Sequence, residues 1–240
     1  MKRDPRSALR AFTLIELMIV VGLIALALTI ALPTMVSAVR AGADKQTENI
    51  VASYCSAAQV LAAREGKYAC VHHQVGTGSF AGGCYIAIFL RDPTTGLFRL
   101  APGFDIQRLP GGMCLGEVST ATVSGSAYIE TAVSNPDQFT CFSVVFSPSG
   151  KVVTGVEGGN VKFDQNDPTF VADPNTQVWS WTVAGGAAGE AGASAMTLFE
   201  YAQYMARPTG TGTGTRVAYI NENGAFLPVN VHTGQLYPRK

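Results

Sequence analysis

The feature that most constrains this chain is an apolar run near the N-terminus that contains one carboxylate. Across residues 12–32 the only charged side chain is that of Glu16. A helix needs about 20 apolar residues to cross the hydrocarbon core of a bilayer. A charge at that depth costs about 3 kcal/mol even on the mildest insertion scale, and it usually marks a functional contact. The sequence therefore predicts a transmembrane helix over residues 12–35 with a functional carboxylate near its start.

The residues before this run, 1–11, are basic, with Lys2, Arg3, Arg6 and Arg10 against one acid, Asp4. Basic residues next to a membrane helix tend to remain in the cytoplasm, so the C-terminal body is expected on the other side of the membrane. The formal net charge of the chain is +0, which leaves that body mildly acidic. An acidic body argues against bulk electrostatic binding of nucleic acid, although a local basic patch is compatible with it.

Three interpretations fit the apolar run by its length and composition. A cleaved secretory signal would use the small residues Val36, Ser37 and Ala38 as its cleavage site. A plain uncleaved anchor explains the length of the run but gives Glu16 no role. A prepilin signal is cut before the apolar run rather than after it, and the helix stays in the mature protein.

The segment AFTLIELMIVVGLIALALTIALP, residues 11–33, resembles the N-terminal motif of type IV prepilins and type II secretion pseudopilins. The resemblance implies that residues 1–11 are a leader peptide, which a prepilin peptidase removes by cutting between Ala11 and Phe12. It also implies methylation of the new N-terminal Phe12, and Pro33 matches a proline that the family commonly has at the end of the membrane segment. The family usually has Gly before the cut, and Ala11 in its place predicts slower cleavage.

In this family the residue that matches Glu16 is thought to pair with the N-terminal amine of a neighbouring subunit. Cleavage would give Phe12 a positively charged amine inside the bilayer or a subunit interface. Two buried charges compensate each other when paired, and removal of one leaves the other uncompensated, so such a pair favours a single register between subunits. The alternative is a glutamate whose carboxylate reaches the membrane surface, which its position near the helix end permits.

Beyond the membrane run, residues 36–66 have the periodicity of an amphipathic helix. Apolar residues recur at steps of three and four, and Gly66 follows Arg64 as a C-terminal cap. We therefore predict one helix over residues 12–65, with its second half packed on a globular head and Pro33 as the site of a kink. The predicted apolar stripe comprises Val36, Val39, Ala43, Thr47, Ile50, Tyr54, Ala58 and Leu61.

Residues 67–240 have the composition of a β-rich head, because runs of Val, Ile, Phe and Tyr alternate with Gly, Pro and Asn turns. The fold class that follows is α+β, with a long N-terminal helix packed on an antiparallel β-sheet head, as in pilins. Residues 196–205 fit either a helix or a strand. The predicted strands are 68–73, 84–91, 127–133, 139–146, 151–156, 177–183, 216–220 and 225–231.

A short motif in the head carries a second resemblance. The segment FSPSG, Phe146 to Gly150, lies between two predicted strands and predicts a hairpin turn, because proline presets one turn residue and glycine supplies a positive φ. The motif F-x-P-x-G is similar to a turn in minor pseudopilins of the H class of type II secretion and in FimT-like minor pilins. The C-terminal strands and turn, residues 220–234, are similar to the ending of that group.

All five cysteines lie on the predicted exported side, where disulfides form. Cys70 and Cys84 flank a Gly-rich loop, which favours a bridge between them; buried free thiols are the alternative. Cys70, His72, His73 and Cys84 are also metal-ligand types, but a strand would place His72 and His73 on opposite faces. A disulfide with exposed histidines is therefore expected rather than a metal site.

No other cluster in the sequence predicts chemistry. Asp164, Asn166 and Asp167 are close together but lack the twelve-residue loop of a calcium-binding EF-hand, so a turn is expected there. The glycine-rich stretches lack the Lys-Ser/Thr of a phosphate-binding loop, and there is no G-x-S-x-G. The chain is therefore expected to be neither an enzyme nor a cofactor-binding protein.

The expected partners are other pilin or pseudopilin subunits, the prepilin peptidase that also methylates the new N-terminus, and the bacterial inner membrane, with the head in the periplasm. The alternative is a FimT-like minor pilin that contacts DNA during uptake, for which the candidate residues are Arg207, Arg216, Arg239 and Lys240. A third hypothesis is a singly anchored periplasmic domain that never assembles.

Overall fold

The structure is a computed structural model, and the chain in it divides into two compact units, Met1–Gly42 and Ala43–Lys240. Ala11 and Phe12, most of the predicted strand 127–133, all of 177–183, and Arg239 and Lys240 lie outside the described residues. The described residues are 14–76, 81–118, 133, 139–154, 156, 160–164, 192–210 and 212–237.

The first element is helix α1, which runs from Leu14 to Glu65 over 52 residues. Gly66 ends it in the left-handed conformation, with φ 63°. The amide of Lys67 donates to the carbonyl of Ala62 at 3.2 Å, which is the hydrogen bond of a Schellman cap. The predicted helix and its glycine cap are therefore confirmed for the part of the helix that the structure describes.

In the first unit, the segment Leu14–Leu32 of α1 is long and apolar enough to cross a membrane. None of this segment is buried inside the chain. The large apolar side chains along it are between 45% exposed, at Val20, and 76% exposed, at Leu14. A membrane-length apolar helix is therefore confirmed at the position where the sequence predicted one.

The second unit contains two antiparallel sheets. The strands are β1 (Ala69–Val75), β2 (Cys84–Arg91), β3 (Phe98–Leu100), β4 (Gln107–Arg108), β5 (Met113–Glu117), β6 (Phe142–Phe146), β7 (Val152–Val153), β8 (Ala195–Glu200) and β9 (Ala225–Pro228). The first sheet has the order β3-β2-β1-β6-β7, with β4 also paired to β2, and the second has the order β5-β8-β9. The predicted α+β class, with antiparallel sheets and an N-terminal apolar helix, is confirmed.

The main core contains one face of α1, one face of the first sheet and side chains of the second sheet. The fully buried residues on α1 are Thr47, Val51, Cys55, Ala58 and Ala62. Thr47, Ala58 and Leu61 of the predicted stripe are buried, whereas Ala43, Ile50 and Tyr54 are half-buried. The prediction omitted Val51, Cys55 and Ala62, which fill the interface, and the side chains of Val36 and Val39 lie outside the described residues.

The opposite face of the first sheet has a core of its own. Alternate residues of a strand point to opposite faces, so Cys70, Ala87 and Phe89 pack on this side with Val161 and Phe163. The first sheet is therefore covered on both faces by described residues.

Two helices in the second unit correct the strand predictions. Residues 216–220 were predicted as a strand, but they begin helix α3 (Arg216–Asn223), because Thr215 caps it by accepting from the amide of Ala218 at 3.4 Å. Residues 196–205 contain both elements, with β8 followed directly by the short helix α2 (Tyr201–Met205). The predicted strands 139–146 and 151–156 are shortened to β6 and β7.

The hairpin turn at residues 146–150 is confirmed. Gly150 has φ 76°, and its amide donates to the carbonyl of Ser147 at 2.8 Å. The side-chain amide of Gln59 on α1 donates to the carbonyl of Gly150 at 2.8 Å. The turn is therefore fixed by the helix as well as by its own strands.

Candidate functional site

Glu16, the carboxylate identified from the sequence, lies in the first described turn of α1. Its side chain is exposed, and its neighbours Ile15 and Leu17 are 66% and 59% exposed. The N-terminal turn of a helix favours a negative charge, because the positive ends of the amide dipoles point toward that end of the helix. Glu16 is therefore part of an exposed, otherwise apolar surface.

That surface is unfavourable in water. Burying a Leu, Ile or Met side chain completely is worth about 1.5–3 kcal/mol, and the segment has many of them. A soluble monomer rarely exposes a continuous apolar surface of this length. A bilayer or other protein chains around the segment Leu14–Leu32 would remove this apolar surface from water.

The predicted disulfide between Cys70 and Cys84 is wrong. Cys70 is opposite Phe89 in the β1–β2 ladder, whereas Cys84 is opposite Val75. Five residues along a strand span roughly 16 Å, which is far beyond the Cα separation of about 7 Å that a disulfide allows. The two side chains also lie in different cores, on opposite faces of the sheet.

The two adjacent histidines of β1 point to opposite faces as predicted, but neither is exposed. His72 is 0% and His73 is 1% exposed. The Nδ1 atom of His72 lies 2.9 Å from the hydroxyl of Ser143, and its ring lies 4.6 Å from that of Phe163. The expectation of exposed histidines is corrected, because a covering layer lies on both faces of β1.

On the other face, His73 lies beside two cysteines. The ligand atoms of His73, Cys84 and Cys114 are all within 4.8 Å of one another, and all three residues are buried. The Sγ of Cys114 is 3.9 Å from the Nε2 of His73. Cys84 begins β2 diagonally across from His73, and Cys114 comes from β5 in the second sheet. The cluster therefore joins the two sheets.

Hydrogen bonds fix the tautomer of His73. The amide of Leu115 donates to Nε2 at 3.3 Å, so Nε2 is an acceptor, and Nδ1 carries the proton that it donates to the carbonyl of Thr140 at 2.8 Å. Burial lowers the pKa of His73 from 6.5 to about 3, so the ring is neutral. A neutral imidazole with its lone pair at Nε2 is the form that binds a metal.

The thiols of Cys114 and Cys55, both buried in this core, are protonated. Burial and the neighbouring Cys84 raise the pKa of Cys114 well above its ordinary value. Burial raises the pKa of Cys55 to about 12. Neither thiol is a nucleophile at neutral pH, because only the thiolate reacts.

Of the four basic residues proposed for DNA contact, Arg207 and Arg216 lie among the described residues. The guanidinium of Arg216 lies 5.1 Å from the ring centre of Tyr204, and that of Arg207 lies 5.9 Å from the ring centre of Tyr219. Tyr204 is 0% exposed, and Arg216 is half-buried. Cation–π contacts of this kind contribute about 0.5–2 kcal/mol to packing, so Arg216 is positioned to stabilise the fold.

Asp164 has a structural role in the described part of the chain. Its carboxylate is bound by the guanidinium of Arg99 at 2.8 Å, and its amide donates to the carbonyl of Phe98 at 3.0 Å. The neighbouring Asn166 and Asp167 lie outside the described residues.

The structure thus defines an α+β chain with a membrane-length apolar helix that contains one carboxylate. Its head has a His–Cys–Cys cluster between two sheets, which the sequence analysis missed. The sequence contained part of the signal for this cluster, because His73 and Cys84 were both considered as metal ligands, whereas Cys114 was not. Comparison with protein families, with characterised proteins and with solved structures finds no match, so no family or activity is carried over from a relative.

Proposed function

We propose that this chain is a structural subunit, a minor pseudopilin or minor pilin of the H or FimT-like class, in a filament of a type II secretion system or a type IV pilus. The observation that carries the proposal is Glu16, a carboxylate in the first turn of α1, within the exposed, membrane-length apolar segment Leu14–Leu32. The flanking residues resemble the prepilin motif. In this proposal a prepilin peptidase cuts between Ala11 and Phe12, and Phe12 is methylated.

The physical reason for Glu16 is a charge that cleavage creates. The new amine at Phe12 is positive and lies only four residues before Glu16. Neither charge is stable alone in hydrocarbon, and a pair between neighbouring subunits satisfies both. Because removal of one partner leaves the other uncompensated, the pair selects one register of subunits.

The two units of the chain have separate roles in this proposal. The apolar segment first anchors the subunit in the bacterial inner membrane and then packs against other subunits. The head, residues 67–240 with the second half of α1, lies in the periplasm and contacts other minor subunits or cargo. The Gln59 contact to the turn at Gly150 supports such a role, because it holds part of the head rigidly on its helix.

The decisive measurement is the N-terminus of the mature chain. We expect mass spectrometry of the chain, co-expressed with a prepilin peptidase, to find methylated Phe12 as its first residue. Ala11→Gly should increase the cleaved fraction, because Gly is the usual residue before the cut. Retention of Met1, or cleavage after Ala38, would show that the chain is an ordinary anchor or secretory protein.

Assembly is tested at Glu16. Glu16→Gln keeps the size of the side chain and removes its charge, so we expect normal membrane insertion and a several-fold loss of cross-linked subunit contacts. The matched control is Leu17→Gln, which places the same amide one position away and keeps the carboxylate. Equal cross-linking in both variants and in the wild type would contradict the pairing of Glu16 with an amine.

The second candidate function, DNA contact during uptake, is favoured by the position of Arg207. It is exposed, and the amide of Arg216 donates to the carbonyl of Pro208, the residue after Arg207, at 3.1 Å. Salt-sensitive retention of DNA on a filter, lost in Arg207→Gln, would support this function. The control is Arg91→Gln, since Arg91 also lies over a tyrosine ring but at another place in the head. No binding at low salt would remove the candidate.

A further inference from the structure

We propose that His73, Cys84 and Cys114 form a structural zinc site that joins the two sheets of the head. The inference is independent of the proposed filament function, because it rests on three side chains in the core. All three are buried, and their ligand atoms lie within 4.8 Å of one another. Thiolate and imidazole are the ligands that Zn²⁺ takes in structural sites.

The distances fit a tetrahedral centre. Bonds of about 2.3 Å to sulfur and about 2.1 Å to nitrogen place ligand atoms roughly 3.5–3.8 Å apart. The Sγ of Cys114 lies 3.9 Å from the Nε2 of His73. Because the ligand atoms lie within 4.8 Å of one another, a closing movement of about 1 Å brings them to zinc-bonding distance.

The second hydrogen bond of His73 is the one that a metal-bound histidine requires. Such a histidine usually donates its other ring N–H to a carbonyl or carboxylate, which orients the ring. Here Nδ1 donates to the carbonyl of Thr140 at 2.8 Å, so Nε2 presents its lone pair to the cysteines. The weak bond from the amide of Leu115 at 3.3 Å is the one that the metal replaces.

The charge balance selects a divalent ion. When the ion binds, Cys84 and Cys114 each release a proton to solvent, two sulfur–metal bonds and one nitrogen–metal bond form, and the bound site has no net charge. Cu⁺ with the same ligands would leave a net negative charge in a buried core, where an uncompensated charge is costly. Among the described residues, no fourth His, Cys, Asp or Glu joins the group, so a tetrahedral ion there has its fourth position open to an oxygen or nitrogen donor.

A disulfide between Cys84 and Cys114 is the competing use of the two thiols, but it has no need of His73. The side chain of His73 is 1% exposed and hydrogen-bonded at both ring nitrogens. A disulfide would use the two thiols alone and leave the Nε2 lone pair of His73 to the amide of Leu115, whereas a metal would use all three side chains. The two alternatives also differ in a measurable way, because a disulfide removes both thiolate ligands of the metal.

The test uses the full chain in detergent. The chain is reduced, stripped with a chelator and titrated with Co²⁺ without oxygen, and Zn²⁺ content is measured on the chain as purified. We expect thiolate-to-cobalt charge-transfer bands and intense tetrahedral d–d bands, displaced by stoichiometric Zn²⁺. X-ray absorption of the zinc form should show two sulfur and two lighter neighbours.

The variants separate the site from the fold. His73→Ala and Cys114→Ser should abolish the cobalt bands, whereas Cys70→Ser should keep them, because Cys70 is equally buried but lies on the other face of the sheet. If a ligand variant does not fold, the Co²⁺ titration of the wild-type chain still tests the proposal. The proposal is overturned if the reduced wild type gives no charge-transfer band, or if mass spectrometry of the native chain finds Cys84 bonded to Cys114.

Discussion

Gly116 lies in β5 directly under the ring of Phe139, and this contact allows a quantitative prediction. A Cβ atom at position 116 would lie 2.2 Å from Cζ and 2.4 Å from Cε1 of that ring. Ordinary contacts between carbon atoms begin near about 3.5 Å. Gly116→Ala therefore forces either the ring or the strand to move by more than about 1 Å.

Neither can move without cost. Phe139 is 1% exposed, and its ring is stacked on Phe199 at 5.5 Å and packed against Tyr204 at 5.8 Å. Overpacking of a filled core typically costs about 1–3 kcal/mol. Because the ring has neighbours on its other sides, we expect the upper end of that range, about 3 kcal/mol. That is a large share of the 5–15 kcal/mol that is typical for a domain.

The assay is pulse proteolysis of the detergent-solubilised chain across a urea gradient. Gly42→Ala is the steric control, because a Cβ there has nothing within 4 Å, and as a helical Gly→Ala change it should raise the free energy of unfolding by up to about 1 kcal/mol. Phe139→Leu should partly rescue Gly116→Ala, so the double variant should be more stable than the sum of the single effects predicts. A free energy of unfolding for Gly116→Ala within about 0.5 kcal/mol of the wild-type value would refute the described contact.

Three further predictions concern the same core. Tyr204→Phe removes the hydroxyl that donates to the carbonyl of Val133 and should lower the free energy of unfolding by about 1–3 kcal/mol, measured by the same urea midpoint. Gln59→Ala removes the bond to Gly150 and should cost about 1 kcal/mol, with earlier proteolysis of the turn at residues 146–150 as the local readout. The pKa of Cys55 is raised from 9.0 to about 12, so above pH 9 the unfolded chain loses a proton that the native chain keeps. Stability should therefore fall as pH rises from 9 toward 12, by up to about 1.4 kcal/mol per pH unit for each such group, and Cys55→Ala should flatten that fall; an unchanged slope would contradict the burial of the thiol.

The elements that the sequence predicts well are those whose signal is local. The bounds of β2 agree with the prediction, because a short apolar run between turns has few alternatives. The cap at Gly66 and the turn at Gly150 are also local, since each needs one glycine with a positive φ. The strand predicted at 216–220 failed because RVAYI has β-forming residues, whereas Thr215 supplies a helix cap that outweighs them.

The site was less predictable because it depends on contacts between distant segments. His73 and Cys84 are neighbours only in one register of β1 and β2, and a shift by one residue would send one of them to the other face. Cys114 reaches them from the second sheet. No spacing in the sequence specifies how two sheets face each other, so the grouping of these three residues follows only from the packed head.

The pairing order of the second sheet has a consequence for how the chain is made. Strand β8 lies between β5 and β9, and Met113 of β5 pairs with Glu200 of β8. During synthesis, β5 therefore has no pairing partner until residue 200 has been made. One edge of β8 then stays unpaired until β9 has been made. An exposed strand edge is a template for aggregation. A chain that ends before Ala225 would therefore leave β8, a strand with five of its six residues buried, as an unpaired edge prone to aggregation.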